Sequence, residues 1–310
     1  MARQKGMDAL KPGDIVDIVA PGMPPMPGTI SGAKQFLYSW GLVPRIAKDI
    51  IRPQVVCANT RKYRQLSLSK ALLAKDSKMV WCLRGGYGSH QLLQGLAKVK
   101  PGPAKIFMGL SDITSLHLFL QDQWGWETIH GPNIDRFANH RAKASEVKYF
   151  FDVLFGKKNE VVHKLKPLNP AAKKLKTLRA PITGGNLITL QATLGTPFQL
   201  KTKGKILFIE DIGERAYRVN RVLEHLEQAG AMQGVKAILL GQFTGGKEPN
   251  GKHILPRFFK EYAEEIKVPL FSGVVSGHGD PQRPVIFGRK SQIIGGKRPI
   301  LVSSTGLCGE

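Results

Sequence analysis

AKIFMGLSDITSLHLFLQ, residues 104–121, is the stretch that decides the fold. The apolar run Ile106-Phe107-Met108 stops at Gly109-Leu110-Ser111-Asp112, and an apolar-periodic segment with Ile113, Leu116, Leu118 and Leu120 follows at once. That pattern is a buried strand, a sharp turn and a helix. Ser111 stands at the turn. A hydroxyl lifted off a sheet edge, with a helix N-terminus behind it, can reach a carbonyl while backbone N–H groups receive the oxyanion. The pattern is G-x-S-D rather than G-x-S-x-G, and serine is also a common helix cap. On this stretch alone the cap is the favoured reading.

Outward from Ser111 the first half alternates strands and helices. Asp14 to Val19 is a short strand ending at Ala20-Pro21-Gly22, and Ile30 to Trp40 is helical. Thr60 to Ala74 is a second helix. Met79 to Leu83 is a strand that ends at Arg84-Gly85-Gly86-Tyr87-Gly88-Ser89, and Leu92, Leu93 and Leu96 open another helix. Such alternation implies a parallel sheet with helices on its faces, and ligands then bind at the carboxyl ends of the strands. Residues 157–179 carry eight Lys or Arg, one Glu and two Pro, and are expected to be a basic linker. A second unit starts at Pro181. It shows a helix from Leu187, a strand from Lys205 to Ile209, a helix from Arg215 to Gln228, a strand at Ala237 to Leu240, a helix from Arg257 to Ile266, and then short strands with Gly and Pro turns.

The 310 residues suffice for two domains. Hydrophobic content of 42% and charged content of 22% are those of a globular protein. No apolar run is long enough to span a membrane, and MARQKGMDALKPGD lacks the apolar segment of a secretion signal, which gives a cytoplasmic expectation and leaves export by an unusual route open. Cys57, Cys82 and Cys308 have no metal-ligand spacing and suit a reducing compartment. The 46 Lys or Arg against 23 Asp or Glu give a net charge of +23. These cations are spread along the chain without an arginine-rich tail, zinc-finger spacing or RNP-like aromatics, so a solvated basic surface is preferred over a nucleic-acid partner, with an anionic substrate next.

Two further residues, an acid and a base, could complete a chemistry around Ser111. Glu210 closes the strand 205–209 and could orient an imidazole; Glu214 and Asp211 compete with it, Glu214 at the start of the next helix where a carboxylate suits the dipole. His278, in Ser276-Gly277-His278-Gly279-Asp280, is the histidine best suited to act as a general base, with His130 second. His117 and His225 lie within helices and read as structural or surface residues, while His90, His140, His163 and His253 have no supporting context. Ser111, Glu210 and His278 give the order nucleophile, acid, base. The RGGYGS loop at 84–89 could approach a phosphate, supply an oxyanion N–H or simply turn. Gly241 to Lys247 matches the front of a P-loop, but Glu248 replaces the Ser/Thr and no helix follows, so nucleotide hydrolysis is rejected there. No metal cluster is visible.

Four separated motifs, RGGYGS at 84–89, GLSDIT at 109–114, LFIEDIGERAYRVNR at 207–221 and SGHGD at 276–280, resemble the L,D-carboxypeptidases of serine peptidase family S66, which trim peptidoglycan peptides. DIVDIVAPG at 14–22 and TGGNLITLQATLGTP at 183–197 are also similar to that family, so the resemblance covers nearly the whole chain. It implies an α/β fold with an N-terminal flavodoxin-like parallel-sheet domain and a C-terminal β-rich α/β domain of the swivelling β/β/α type. The expected division is 1–156, a linker at 157–180, and 181–310. The resemblance implies catalytic Ser111, Glu210 and His278, with Glu210 preferred over Glu214, and an oxyanion hole from the backbone of Gly86 and Asp112. It implies no cofactor and no metal. The expected function is removal of the terminal D-alanine from a murein tetrapeptide or muropeptide, in recycling or remodelling. No specific nucleic acid and no membrane are expected, and a homodimer is left open. The alternatives are a hydrolase giving immunity to peptide-nucleotide antibiotics and a non-catalytic basic binder of murein or nucleic acid. Asn220 stands where the family usually has Asp, and Asn133 where an apolar residue is expected.

Overall fold

The computed structural model describes residues 7–308; the N-terminal leader reading above falls partly on residues 1–6, outside the described residues. The chain divides into two units. One runs to Glu160 and includes the return of the chain from Thr305, and the other is Val161–Ser304.

In the first unit the elements alternate as expected. They are β1 (Met7–Asp8), β2 (Ile15–Val19), α1 (Thr29–Ser39), β3 (Val43–Ile46), α2 (Arg61–Leu73), β4 (Ser77–Cys82), α3 (Leu93–Leu96), β5 (Ile106–Gly109), α4 (Thr114–Trp124), β6 (Thr128–His130), α5 (Asp135–Ala138) and α6 (Ala144–Leu154). Strands β6, β5, β4, β2 and β3 lie side by side in that order, all parallel. Counted from β2 along the chain, this is the flavodoxin order 2-1-3-4-5, whose switch point falls between β2 and β4. The loops after those two strands, Ala20 to Gly22 and Arg84 to Gly88, therefore flank the crevice where such sheets take ligands. The strands are apolar because both faces are covered: Val80, Trp81, Ile106, Phe107 and Met108 are fully buried. Thr60 caps α2 by accepting from the Tyr63 N–H at 3.3 Å.

The second unit holds β7 (Glu160–Lys164), which starts at the boundary, β8 (Lys166–Pro167), α7 (Pro170–Lys174), β9 (Thr177–Asn186), α8 (Leu187–Gln191), β10 (Ile206–Ile212), α9 (Ala216–Gln228), β11 (Ala237–Thr244), α10 (Leu255–Glu265), β12 (Leu270–Ser272), β13 (Val285–Phe287), β14 (Lys290–Ile294) and β15 (Ile300–Ser304). Eight of these strands form one sheet in the order β7-β15-β14-β9-β10-β11-β12-β8. The ten-residue β9 joins its two halves. Thr177 to Pro181 pair antiparallel with β14, and Ile182 to Asn186 pair parallel with β10. The core between these strands is built on Ile182, Phe208, Leu239, Phe271, Phe287 and Leu301. The last strand, β16 (Leu307–Cys308), pairs parallel with β1 in the first unit.

The segment 157–180, expected as a linker, is folded. It supplies β7, β8, α7 and the start of β9. Its charges hid an alternation in which Val161, His163 and Leu165 are buried while Glu160, Lys164 and Lys166 are exposed and Val162 is half-buried. Asn169 shows how firmly it is held. Its Nδ2 donates to Ile266 O at 3.0 Å and Val268 O at 2.8 Å, and its Oδ1 accepts from Ala172 N at 2.9 Å and Leu270 N at 3.2 Å. No described helix is long and apolar enough to cross a membrane.

Asn169→Ala removes all four of these bonds and leaves buried backbone groups unserved. It should cost about 2–4 kcal/mol, since each orphaned group costs roughly 1–3 kcal/mol. Urea unfolding of the full chain checks this, and an unchanged midpoint would mean that the segment behaves as a linker after all.

Candidate active site

In the first unit β5 ends at Gly109, and Ser111 follows with a backbone φ of 69°. A non-glycine residue in this left-handed region costs about 1–2 kcal/mol and marks a turn held by its surroundings. The hydroxyl does not cap the helix: Leu110 and Ile113, the residues preceding the short 3₁₀ turn and α4, carry no side-chain cap bond. Ser111 Oγ has no hydrogen-bond partner among the described residues. The cap reading is therefore corrected. The backbone is turned so that the oxygen stays available.

Several contacts hold that turn. A Cβ added to Gly85 would lie 2.9 Å from Ser111 Cβ and 3.3 Å from its Oγ, so only glycine lets the RGGYGS loop lie against the serine. Ser89 binds Asp112 through its N–H, at 2.8 Å to Oδ2, and its hydroxyl reaches the same carboxylate and the Asp112 carbonyl. Burial pushes the Asp112 carboxyl up, against the downward pull of those Ser89 bonds and of the Arg64 charge. Asn133 Oδ1 accepts from Leu110 N at 3.2 Å, so the residue that departs from the family pattern braces the one before the serine. His117 bridges Thr128 Oγ1 and Gly109 O, each at 2.9 Å. Burial drives its pKa down to about 3.

Sequence reasoning missed Arg64. It is 3% exposed, and its guanidinium donates to Pro21 O, to Gly88 O at 2.9 Å and to Asn59 O at 3.0 Å. One side chain thus ties the loop after β2 to the loop after β4. Met23 N donates to Gly85 O at 3.0 Å and closes the same join. The signal that could have found it is a lone arginine on the apolar face of α2, at the spacing of Leu68 and Leu72.

The second unit carries the other two residues. His278 Nδ1 lies 2.6 Å from Glu210 Oε2, with the Glu210 side chain fully buried and that of His278 14% exposed. Burial alone would lower the His278 pKa, but the Glu210 charge and hydrogen bond, with a smaller contribution from Asp211, outweigh it and raise the pKa above the usual 6.5. With Nδ1–H given to Glu210, Nε2 is the nitrogen left to accept a proton. Glu214 instead pairs with Arg218 at 3.4 Å. Asp211 holds the N-terminus of α8, accepting from Ile188 N at 3.0 Å and from Asn186 Nδ2 at 2.9 Å. Burial, with Glu210 next to it, pushes its pKa up to about 6.

Two more residues position the His278 loop, and neither was singled out from the sequence. The β10–β11 register slips between Ile209 and Asp211, where two steps along β10 face three along β11. The extra residue falls at Gly241-Gln242, a bulge that re-aims the strand. Gln242 Oε1 then accepts from Gly279 N at 3.1 Å and Nε2 donates to Pro281 O at 3.0 Å, so its side chain grips the loop on both sides of Asp280. His163 accepts from Val275 N at 3.2 Å and lies 3.1 Å from Pro284 O; burial lowers its pKa to about 4. A Cβ on Gly277 would meet Glu210 Oε2 at 2.8 Å, so the glycine permits the approach of His278 to its acid. His130 is buried on β6, and His225 pairs with Gln191 at 2.9 Å on the surface. Gly245 and Gly246 form no P-loop, since β11 runs on to Thr244 and no helix follows until Leu255. Among the described residues no three of His, Cys, Asp or Glu gather as a metal-binding group.

Comparison with known proteins fits this architecture. Residues 16–131 match the LD-carboxypeptidase N-terminal domain and residues 179–293 the LD-carboxypeptidase C-terminal domain. A Rickettsia conorii protein carrying a carboxypeptidase name is 40% identical over 79% of this chain and 77% of its own. The murein tetrapeptide carboxypeptidase of Pseudomonas aeruginosa is 33% identical over 78% of this chain and 80% of its own. The crystal structure of muramoyltetrapeptide carboxypeptidase from Oxalobacter formigenes superposes with a TM-score of 0.79 at 26% identity, covering 93% of this chain and 99% of that one. The microcin C7 self-immunity protein MccF shares the fold alone, with a TM-score of 0.81 at 20% identity over 98% of this chain and 99% of that one. The two matched domains and these relatives place the chain in the LD-carboxypeptidase family, as a peptidase.

Proposed function

We propose that the chain is a serine-type L,D-carboxypeptidase that removes the terminal D-alanine from murein tetrapeptides. The observation that carries this reading is Ser111, held in a left-handed turn with its hydroxyl unbonded at the end of a parallel strand. Murein peptides come into the reading through the relatives, whose names carry that substrate. Ser111 Oγ attacks the carbonyl of the diamino acid while His278 Nε2 takes its proton. Glu210 keeps Nδ1–H in place and stabilises the imidazolium that forms. The N–H groups of Gly86 and Asp112 are assigned to the oxyanion, which they would meet without reorganisation. Collapse of the tetrahedral intermediate expels D-alanine, whose amine takes the proton from His278. Water then enters by the same base and frees the serine.

The histidine must be neutral to act. Since its pKa lies above 6.5 in the folded chain, kcat/KM should rise with pH along a limb whose midpoint is also above 6.5. The stabilising charge pair with Glu210 behaves oppositely: its contribution is complete below 6.5 and is lost as pH rises through the folded value. Glu210→Gln should move the limb down and reduce kcat. A wild-type limb at or below 6.5 would contradict the pairing.

Ser111→Ala should lower turnover by roughly three to six orders of magnitude without loss of the folded spectrum. Mass spectrometry of murein tetrapeptide, with and without enzyme, reads the loss of one alanine. Full activity in the alanine variant would remove Ser111 from the mechanism. Cleavage of an aminoacyl sulfamoyl-adenosine in place of the tetrapeptide would favour an immunity hydrolase instead.

A further inference from the structure

The second unit carries a face whose charge the catalytic reading does not use. Residues 161–181 hold six Lys or Arg and residues 283–304 hold five, and neither stretch contains an Asp or Glu. The fold brings the two stretches together. The β9–β14 register sets Arg179 opposite Gln292 and Lys290 opposite Pro181, two residues away on the same strand. Gly295 N donates to Lys176 O at 2.9 Å, which lays the turn before Arg298 against the start of β9. Leu165 N donates to Pro299 O at 2.8 Å, which sets Lys164 beside Arg298. Lys173 lies in the last turn of α7, three residues before Lys176. All six of these cations are exposed, and none has a carboxylate partner or a side-chain hydrogen bond among the described residues.

Elsewhere the chain does pair its cations: Arg45 binds Asp17 and Asp76, Arg136 binds Glu146, and Arg141 binds Asp135. Cations gathered without counter-ions repel one another and weaken the fold that holds them, while a polyanion laid across them releases that repulsion together with its own bound counter-ions. The face offers nothing on which bases could stack. Its two stretches contain a single aromatic residue, Phe287, which is fully buried, and α7 is only five residues long. A polymer bearing repeated carboxylates fits such a surface better than a nucleic acid.

We propose that this face docks the chain on the polycarboxylate polymer that carries its substrate, the intact peptidoglycan, so that many stem peptides are presented in turn to one bound enzyme. The inference rests on the murein reading above. Each stem peptide bears several carboxylates, and tethering by one of them raises the effective concentration of its neighbours at the catalytic residues.

The test compares the full chain with a Lys173→Glu/Lys176→Glu/Arg298→Glu variant, whose changes lie outside the β-strands. Cosedimentation with purified sacculi at low and raised salt measures binding. Release of D-alanine from soluble tetrapeptide and from sacculi is measured separately. The wild type should pellet at low salt and be released at high salt. The variant should bind at least ~tenfold more weakly, lose D-alanine release from sacculi, and keep its turnover on soluble tetrapeptide within twofold. Equal pelleting of both proteins, or no pelleting of the wild type at low salt, would overturn the proposal. So would tighter binding to duplex DNA than to sacculi at the same salt, which would assign the face to nucleic acid. If the wild type pellets in a face-dependent way but releases no D-alanine even from soluble tetrapeptide, the docking surface stands and the enzymatic reading fails.

Discussion

The left-handed turn at Ser111 is the constraint around which the first unit is arranged. Such a conformation costs free energy, so it persists only where its neighbours leave no alternative. Here they are a glycine that adds no Cβ, a carboxylate bound to Ser89, an amide bound to Leu110, and an imidazole on the Gly109 carbonyl. Arg64 extends the same restraint to the loops after β2 and β4, the two strands that flank the topological switch point. Burial works against the Arg64 charge and lowers its pKa, and the carbonyls that surround it offset part of that cost.

The second unit meets a different demand, the burial of a carboxylate beside an imidazole. An ion pair removed from water is stable only when its geometry is good and its remaining atoms are served. Glu210 lies within the buried run of β10, the bulge on β11 sets Gln242 against the His278 loop, and Gly277 lets His278 approach Glu210 to 2.6 Å. These supports fix the ring orientation, so the placing of the imidazole depends on backbone architecture as much as on the histidine itself. Asp211, one residue on, holds the start of α8 with a carboxyl whose pKa is about 6. Burial and the neighbouring Glu210 charge are what hold that carboxyl above the usual carboxylate range.

The alternation of strands and helices, the strand ends and the triad candidates were legible in the sequence, because apolar period and turn chemistry are local. Ser111 was legible as a turn, but its own stretch favoured a cap over a free hydroxyl, since that choice is made by a backbone angle that no residue pattern encodes. Glu210 was preferred over Glu214 by its strand-end position and by the family resemblance, and in space it is Glu210 that lies 2.6 Å from His278 while Glu214 pairs with Arg218. The stretch 157–180 was misread for a physical reason. Its surface charges outweighed the alternation of Val161, His163 and Leu165, and the strand partners that bury those residues lie more than a hundred positions away. Arg64, Asn133, His163 and Gln242 act through carbonyls and N–H groups distant in the chain, contacts that exist only once the fold has formed.

The most direct test of the central claim, that Ser111 is a nucleophile activated by the His278–Glu210 pair, is the site of reaction with a serine-directed fluorophosphonate, read by intact mass and peptide mapping of the full chain. The account predicts a single adduct on Ser111 that disappears in His278→Ala. An adduct on another residue, or labelling of Ser111 at the same rate without His278, would contradict it.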